Sequence, residues 1–547
     1  MFSIRLRSKA LSQLWSWSAP QRLPLLAFGF LGAFSSAASV FTSLLLKALI
    51  DYAIARQLHA FYFCCFAMAV VLLSICLADY IRARFAESIK VQLTNTTQQE
   101  VLHQLLQKEY AAIGQYHSGE LSNRLFSDIS IAINGILTVV PNFTLLLVQF
   151  LGAGYLLYHY APPLIFLLLA ASIVTGVFML LLRKHLKVLH QKQQKASGQL
   201  HSALQETLQN LLLVKSMGIS EQRETLVVDS QKSYQAAVIQ RSRFSALTGF
   251  GMNSFFQLGG LITLVWGGVQ IMKGQLSYGT LSALIQLSGQ VQAPVSSLSS
   301  LFSTLFSSIA STERVEELLN LPDEPPSIVV PSEVVLDDIC VQSLYFTYPK
   351  QRAEVLHDLT FTVSSGSITA VVGDSGIGKS TLFALLLGIY HPTSGSIQLQ
   401  SGAHSYSPCA GTRRLFAYVP QENGLFSGTL RANLTQFNPC ADDSTIWKSL
   451  EAACIAEHIR SLPLGLDTLI GEHGTGFSEG QCQRIAVARA LISDAPILLL
   501  DESTSALDEN TEAHLLENIA HLTNRTCLIV THRKAALEIC NQVIQLR

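Results

Sequence analysis

From Ile129 to Leu182 the chain carries no Asp, Glu, Lys or Arg across 54 residues, interrupted only by the YHYAPP turn at Tyr158–Pro163. A bilayer core demands about 20 apolar residues per helix, with every backbone group bonded inside the segment. Four more tracts are equally free of charge: Pro24–Leu46, Phe61–Ala78, Ser245–Met272 and Gly274–Thr312. Together they predict six spans near residues 24–46, 60–80, 137–158, 163–182, 248–272 and 280–302. The first is too long for a signal-peptide core and reads as a retained span. Charged residues make up only 14% of the 547, against roughly 25% in soluble domains. A net charge of -1 gives no global pull on nucleic acid, and no such partner is expected. The ten cysteines form no CxxC pair, which argues for reduced thiols over a zinc or disulfide framework.

Lysine and arginine orient the spans. The N-terminal segment has Arg5, Arg7, Lys9 and Arg22; the long connections 79–128 and 183–243 carry five and ten basic residues. The three short connections hold only Lys47, Arg56 and Lys273. The N-terminus, both long connections and the C-terminal half are therefore expected on the cytoplasmic side of a cell membrane, a bacterial inner membrane in the first instance. The long connections are themselves helical in composition. Ala83–Glu109 and Lys184–Tyr234 are rich in Gln, Leu, Lys and Glu with almost no Gly or Pro. Their expected breaks are Gln115–Leu125 and Leu211–Gln222, which would form the tips farthest from the bilayer. A Pro-rich acidic stretch, Leu319–Val334, then changes the pattern to short Val/Ile/Leu strands and Gly turns. The expected domains are thus a membrane domain over 1–318, a linker over 319–335 and an α/β domain over 336–547.

Within the α/β domain, SITAVVGDSGIGKSTLFALLLG (Ser367–Gly388) reads strand, glycine loop, helix. Gly373, Gly378, Lys379 and Ser380 fit G-x-x-x-x-G-K-[ST], with Asp374, Ser375, Gly376 and Thr381 completing the loop. In such a loop backbone N–H groups wrap phosphate oxygens, the lysine reaches the β/γ-phosphates and the hydroxyl ligates Mg²⁺. A second apolar strand, APILLLDEST (Ala495–Thr504), holds Asp501 at its carboxyl end, within reach of that Mg²⁺. Glu502 follows and can polarise an attacking water.

On these motifs residues 336–547 resemble the nucleotide-binding domain of ABC transporters, and nearly the whole chain resembles an exporter-type half-transporter. The fold implied is an α-helical membrane domain of six transmembrane helices plus an α/β P-loop NTPase domain with a helical subdomain. The resemblance adds roles. Tyr348 in YFTYP matches the aromatic that stacks on adenine. Gln421 in YVPQENGLF matches the glutamine that touches Mg²⁺ and senses the membrane domain. Glu472 in IGEHG matches the loop that meets the cytoplasmic tips. Asp508 in SALD matches the D-loop, and His532 in VTHR the switch histidine at the γ-phosphate. Ser478, Gly480 and Gln481 in FSEGQ occupy the signature that closes on a partner's ATP. The cofactors implied are ATP and Mg²⁺, the metal held by Ser380, Gln421 and Asp501. The activity implied is ATP hydrolysis coupled to export or flipping of an amphipathic, lipid, drug or peptide cargo. The alternative is an ATP-gated sensor without transport.

The sequence departs from the family pattern in the signature, where Phe477 and Glu479 replace Leu and Gly. A carboxylate aimed at a phosphate from about 5 Å would cost about 3 kcal/mol at an effective dielectric of 20. A side chain turned outward, paired with a Lys or Arg, would cost little, and acid in a first helical turn is favourable. The partner is therefore either a second copy of the chain or a different half-transporter. The sequence also stops at ICNQVIQLR, before the final strand pair and helix usual in the family, so the expectation is either a less braced domain edge or a naturally short member of the family. With no protease-like leader before the first span, a processing peptide exporter is disfavoured. In the spans, Ser282, Gln286, Gln290, Ser297 and Thr304 share a face of the sixth, Asn142 and Gln149 of the third, and Asn253 and Gln257 of the fifth. These residues line a cargo path or bond the helices together.

Overall fold

The computed structural model describes residues 12–546 except 329, 332, 333, 350, 423, 472, 473 and 522–524. Arg5, Arg7, Lys9 and Glu472 lie outside the described residues. The chain divides into two compact units. The first runs through His103 and resumes from Ser118 to Leu319; the second joins Gln104–His117 to everything from Asn320 onward.

Six long helices build the first unit: α1 (Arg22–Ile54), α2 (Leu58–Leu105), α3 (Ile129–Tyr160), α4 (Pro162–Gln209), α5 (Ser220–Met272) and α6 (Tyr278–Leu319). They cover the six expected spans and run on beyond them. Four helical stretches are long and apolar enough to cross a membrane among the described residues: Ala19–Ile54, Leu58–Leu105, Ser118–Tyr160 and Ser220–Met272. On α4 the apolar stretch is Pro162–Ala171, and α6 is free of charge to Thr312 but diluted by Ser and Gln. α6 packs on α3, α1 and α5, and α4 packs on α5. The α3–α6 crossing is close enough that a Cβ on Gly135 would meet Ser308 Cβ at 2.3 Å, while Ser308 Oγ donates to Ala132 O at 2.9 Å. At the charged end of the same pair, buried Asp128 accepts from Ser311 Oγ at 3.0 Å and Arg314 Nε at 2.8 Å. That hydrogen bond raises the Arg314 pKa against the opposing effect of burial.

The second unit contains two large sheets and a two-stranded one that pairs Gly428–Thr429 with Leu469–Ile470. β1 (Asp338–Phe346), β2 (Leu356–Ser364), β4 (Ser394–Ser401) and β5 (His404–Tyr406) form an antiparallel sheet in the order β2-β1-β4-β5. β3 (Ile368–Val372), β6 (Phe416–Val419), β7 (Ile497–Asp501), β8 (Thr526–Val530) and β9 (Gln542–Gln545) form a parallel sheet in the order β9-β3-β8-β7-β6. β7 and β8 are buried at every residue, as parallel strands covered on both faces must be. The helices that matter to the site are α7 (Lys379–Leu386), α8 (Asp443–Ala452), α9 (Glu479–Ile492) and α10 (Glu509–Ala520).

The first expected break falls elsewhere. α2 stops at Leu105, one helical turn forms at Tyr110–Ile113, and Ser118–Asn123 is helical again, so the interruption lies at 106–117 and overlaps the expected Gln115–Leu125 only at 115–117. No Gly or Pro marks residues 106–109. Their backbone instead pairs with the stretch read as a linker: Glu109 N–H donates to Pro322 O at 3.0 Å, and Glu324 N–H to Gln107 O at 2.8 Å. The buried Lys108 ammonium pairs with Asp323, and Arg413 with Glu324. These partners replace the intrahelical bonds that continuing α2 would have formed. The second break is where the sequence puts it, with a short helix at Leu211–Ser216 between α4 and α5.

Candidate nucleotide site

Four neighbouring parallel strands deliver the sequence-predicted residues at one edge of the sheet. β3 leads into the loop 373–378 and Lys379; β8 leads to His532; β7 ends at Asp501 with Glu502 next; β6 leads to Gln421. Register enforces this, since Val530 lies opposite both Val371 and Asp501, and Val419 opposite Leu500. Open parallel sheets bind ligands at this carboxyl edge.

The loop needs glycine for two separate reasons. Gly376 has φ +81°, with nothing near a would-be Cβ, so the backbone conformation alone selects it. Gly378 has φ +112° and would also drive a Cβ to 2.9 Å from Val355 Cγ1 and Leu356 Cδ2. Asp374, Ser375 and Gly376 are exposed on the loop, and Gly373 and Gly378 flank them. The buried Lys379 ammonium turns back on this loop, donating to Gly373 O at 2.8 Å and Asp374 O at 3.2 Å. Its third neighbour is His532 Nε2 at 2.8 Å. An ammonium only donates, so Nε2 accepts and the ring proton sits on Nδ1. Glu502 Oε1 lies 3.8 Å from the ammonium, and Gln421 Nε2 donates to Glu502 Oε2 at 2.9 Å. Glu502 itself holds a left-handed backbone, φ +47°, unusual for a non-glycine residue and suited to turning a side chain off a strand end.

Asp501 is 1% exposed, and burial raises its carboxyl pKa, with Glu502 adding to the shift. Its hydrogen bonds from Ser380 and Tyr418 and the nearby Lys379 oppose that shift. Oδ1 nevertheless has no hydrogen-bond partner, and neither does the buried Ser503 hydroxyl. A buried carboxylate with an orphaned oxygen beside a serine hydroxyl is the donor set a hard divalent cation takes, so these residues fit Mg²⁺. On the outer side Tyr348 bonds Thr381 through their hydroxyls at 2.7 Å. Its ring meets Phe346 edge-on at 4.9 Å and Tyr390 at 5.3 Å, and Tyr390 in turn meets Tyr110 at 6.0 Å.

The signature stands at the start of α9. Ser478 is its N-cap in a capping box with Gln481: Ser478 Oγ accepts from Gln481 N–H at 3.3 Å, and Ser478 N–H donates to Gln481 Oε1 at 2.8 Å. Glu479 is exposed at the first helical position, and no ion pair engages it among the described residues. Within this chain solvent and the helix dipole serve the carboxylate. Gly480 is held by a close approach, since a Cβ there would sit 2.8 Å from Ala506 O of the D-loop. Asp508 caps α10, accepting from Thr511 N–H at 3.0 Å, and that bond lowers its pKa.

Two residues not singled out from sequence complete the arrangement. Gln483, 1% exposed, donates to Ser505 Oγ at 3.1 Å and accepts from Ala506 N–H at 3.1 Å, tying the signature helix to the D-loop. Arg533, beside His532, donates to Ser505 O, Leu507 O and buried Glu512, tying the switch strand to the same loop. The QCQR and THRK contexts carried the signal only as neighbours of the motifs.

In the membrane unit the polar stripe has partners. Gln286 Nε2 donates to Thr42 Oγ1 at 3.1 Å, and Gln290 Nε2 to Ser39 O at 3.0 Å, both bridging α6 to α1. Ser282, Ser297 and Thr304 bond carbonyls of their own helix. Asn253 and Gln257 instead line an open groove of about 460 Å³ on α5.

Comparison with known proteins agrees with this geometry. The family model for the ABC transporter transmembrane region matches residues 25–295, and the ABC transporter model matches 356–505. The chain is 29% identical to the ATP-dependent lipid A-core flippase of Pseudomonas fluorescens, over 86% of this chain and 78% of that protein. It is 33% identical to the alpha-hemolysin translocation ATP-binding protein HlyB of Escherichia coli O157:H7, over 71% and 55% respectively. A bacterial Atm1-family ABC exporter with ATP bound has the same fold, with TM-score 0.81, 23% identity and coverage of 97% and 94%. The chain belongs to the ABC transporter family: it is an exporter-type half-transporter, a multi-pass membrane protein whose ATP-binding domain hydrolyses ATP to drive transport.

Proposed function

We propose that two copies of this chain close on each other with ATP between them and move an amphipathic cargo across the bilayer by alternating access. The observation that carries this reading is the convergence of Lys379, His532, Glu502 and Gln421 within 2.8–3.8 Å contacts beside the orphaned Asp501 oxygen. Lys379 would exchange its loop carbonyls for the β/γ-phosphate oxygens, and Tyr348 would stack on the base. Glu502 is the general base, freed when Gln421 turns from it, and His532 contacts the γ-phosphate. Mg²⁺, held by Ser380, Gln421 and Asp501, would neutralise charge on the phosphates. Ser478, Gly480 and Gln481, beside the D-loop with Asp508, meet the nucleotide of the partner subunit. An exposed Glu479 is compatible with a partner identical to this chain.

The ATP domain, the N-terminus and both helical connections face the cytoplasm of a bacterial inner membrane in this reading, on the distribution of Lys and Arg. Tyr110–Ile113 acts as one coupling element, because Tyr110 reaches Tyr348 through Tyr390. Leu211–Ser216 acts as the other. Amphipathic cargo follows from the uncharged spans and from relatives named for lipid A-core flipping and hemolysin translocation. The test is the full chain alone in proteoliposomes. Mg²⁺-dependent ATPase, stimulated by an amphipath and abolished by Glu502→Gln, is expected. Activity surviving Glu502→Gln overturns the base assignment. Activity that appears only with a second, different half-transporter overturns the homodimer.

A further inference from the structure

α7 is eight residues long, about 12 Å, and its two ends meet different things. Its first residue is Lys379 of the phosphate loop. Its last turn closes in a Schellman arrangement: Gly388 N–H, at φ +61°, donates to Leu385 O at 3.0 Å, and Ile389 N–H to Ala384 O at 2.9 Å. The two carbonyls that follow, Leu387 O and Gly388 O, are taken by one guanidinium. Arg413 Nε donates to the first and Nη2 to the second, both at 3.0 Å. A cation at this point also complements the negative end of the helix.

The same guanidinium holds the Glu324 carboxylate, with Nη1 donating to Oε2 at 3.2 Å. Glu324 lies on the strap between α6 and β1, and the strap is itself tied down. Glu324 N–H donates to Gln107 O, and Glu109 N–H returns to Pro322 O, so 322–324 runs antiparallel to 107–109. Lys108 and Asp323 pair across the same bridge. Packing is close on both flanks of Arg413. A Cβ on Gly388 would meet Cys409 N at 2.7 Å, and one on Gly411 would meet Ile328 O at 2.0 Å. Arg413 belongs to the 3₁₀ turn Ala410–Leu415, which runs straight into β6 and on to Gln421. All of these bonds form within one chain.

We infer that Arg413 is the positioning residue that transmits occupancy of the phosphate loop to residues 106–113, through α7 on one side and Glu324 on the other. Phosphate held at the N-terminus of α7 fixes the helix. A planar fork bound both to the helix end and to a carboxylate passes that restraint to the strap. A lysine has one nitrogen to serve both groups and would not bridge them. The rival route is aromatic, from Tyr348 through Tyr390 to Tyr110, and it bypasses Arg413. The inference rests on ATP occupying the phosphate loop, and it is independent of the cargo and of the partner's identity.

The test is hydrogen–deuterium exchange on the full chain in lipid nanodiscs, with and without Mg²⁺ and the non-hydrolysable analogue AMP-PNP. The peptides read are 104–117 and 320–328. Nucleotide should slow their exchange by at least about threefold in the unaltered chain. Glu324→Ala, which leaves Arg413 on the α7 carbonyls, should bring that change below about 1.5-fold, and so should Arg413→Lys. The AMP-PNP dissociation constant, measured on every variant, should move less than about threefold, because neither residue faces the phosphates. Tyr390→Leu should leave the response in place. A packing role alone would speed exchange with and without nucleotide and keep the difference between them; that result overturns the proposal. So does an unaltered chain that binds nucleotide without any response, or a response that survives Glu324→Ala and disappears with Tyr390→Leu. Loss of nucleotide binding by Glu324→Ala also overturns it, since the clamp would then be part of the ATP site.

Discussion

The polar residues at the end of the parallel sheet and those on α6 look alike in sequence, yet they do opposite things. At the sheet edge they converge without being used up. Asp501 keeps a bare oxygen, Lys379 rests on its own loop carbonyls, and Gln421 merely parks on Glu502. Along α6 the comparable amide donors are consumed, Gln286 Nε2 by Thr42 and Gln290 Nε2 by Ser39, and the Gln290 carbonyl oxygen is left without a partner. The difference is one of solvent. At the sheet edge water can hold a site open until ligand arrives. In hydrocarbon an unpaired N–H donor is costly, so neighbouring helices take it up first. Polarity in a span is therefore weaker evidence of a cargo path than polarity at a strand end is of an ATP site.

That contrast can be broken at either end. The largest effect should come from Lys379→Ala, which removes the charge facing the phosphates and should cut ATPase turnover at least about a thousandfold. Near-normal turnover would show that the convergent cluster is not the site. Next, Gly480→Ala places a methyl 2.8 Å from Ala506 O, a backbone atom that cannot step aside. The clash should destabilise the subunit by about 1–3 kcal/mol and turnover should fall by about tenfold or more; unchanged stability and unchanged turnover would show that the D-loop gives way to the methyl.

Asp501→Asn sharpens the comparison through pH. Burial raises this carboxyl above its ordinary 3.8 in the folded chain. A raised folded pKa means the folded state binds the extra proton, so its contribution is full below 3.8 and lost as pH rises through the folded value. In nucleotide-free protein Asp501→Asn should therefore raise the melting temperature at pH 7 and flatten its decline with pH, while abolishing hydrolysis. A lowered melting temperature would mean that the carboxylate is satisfied after all.

Gln290→Leu removes the α6–α1 bridge and should destabilise the membrane domain by about 0.6–1.7 kcal/mol with transport retained. Lost transport at unchanged stability would return this residue to the cargo path. The smallest effect belongs to Glu479→Gly, with turnover of the chain alone moving less than about threefold because the carboxylate is exposed on a capped helix start. A rise of tenfold or more would mean that Glu479 faces a phosphate and that the partner is a different chain.

Much of this was legible in the residues. Charge-free tracts fix helices in lipid because no other backbone satisfies itself there. The glycine loop and the strand ending in Asp501 and Glu502 are local chemistry, readable wherever spacing is. The first coupling turn was not legible, because Leu106–Glu109 is sequence that would continue a helix. It stops only because Pro322 and Glu324, more than 200 residues later, offer its backbone other partners. Gln483 and Arg533 escaped notice for the same reason, since their partners at Ser505, Ala506 and Glu512 are set by strand register and not by spacing. Sequence by itself determined the two domains' chemistry, the spans and the identity of the phosphate loop, all properties of short segments in their own solvent. Only the tertiary structure decided which polar groups are spent on neighbours and which remain available, because a hydrogen bond is allotted between segments and no single segment records it.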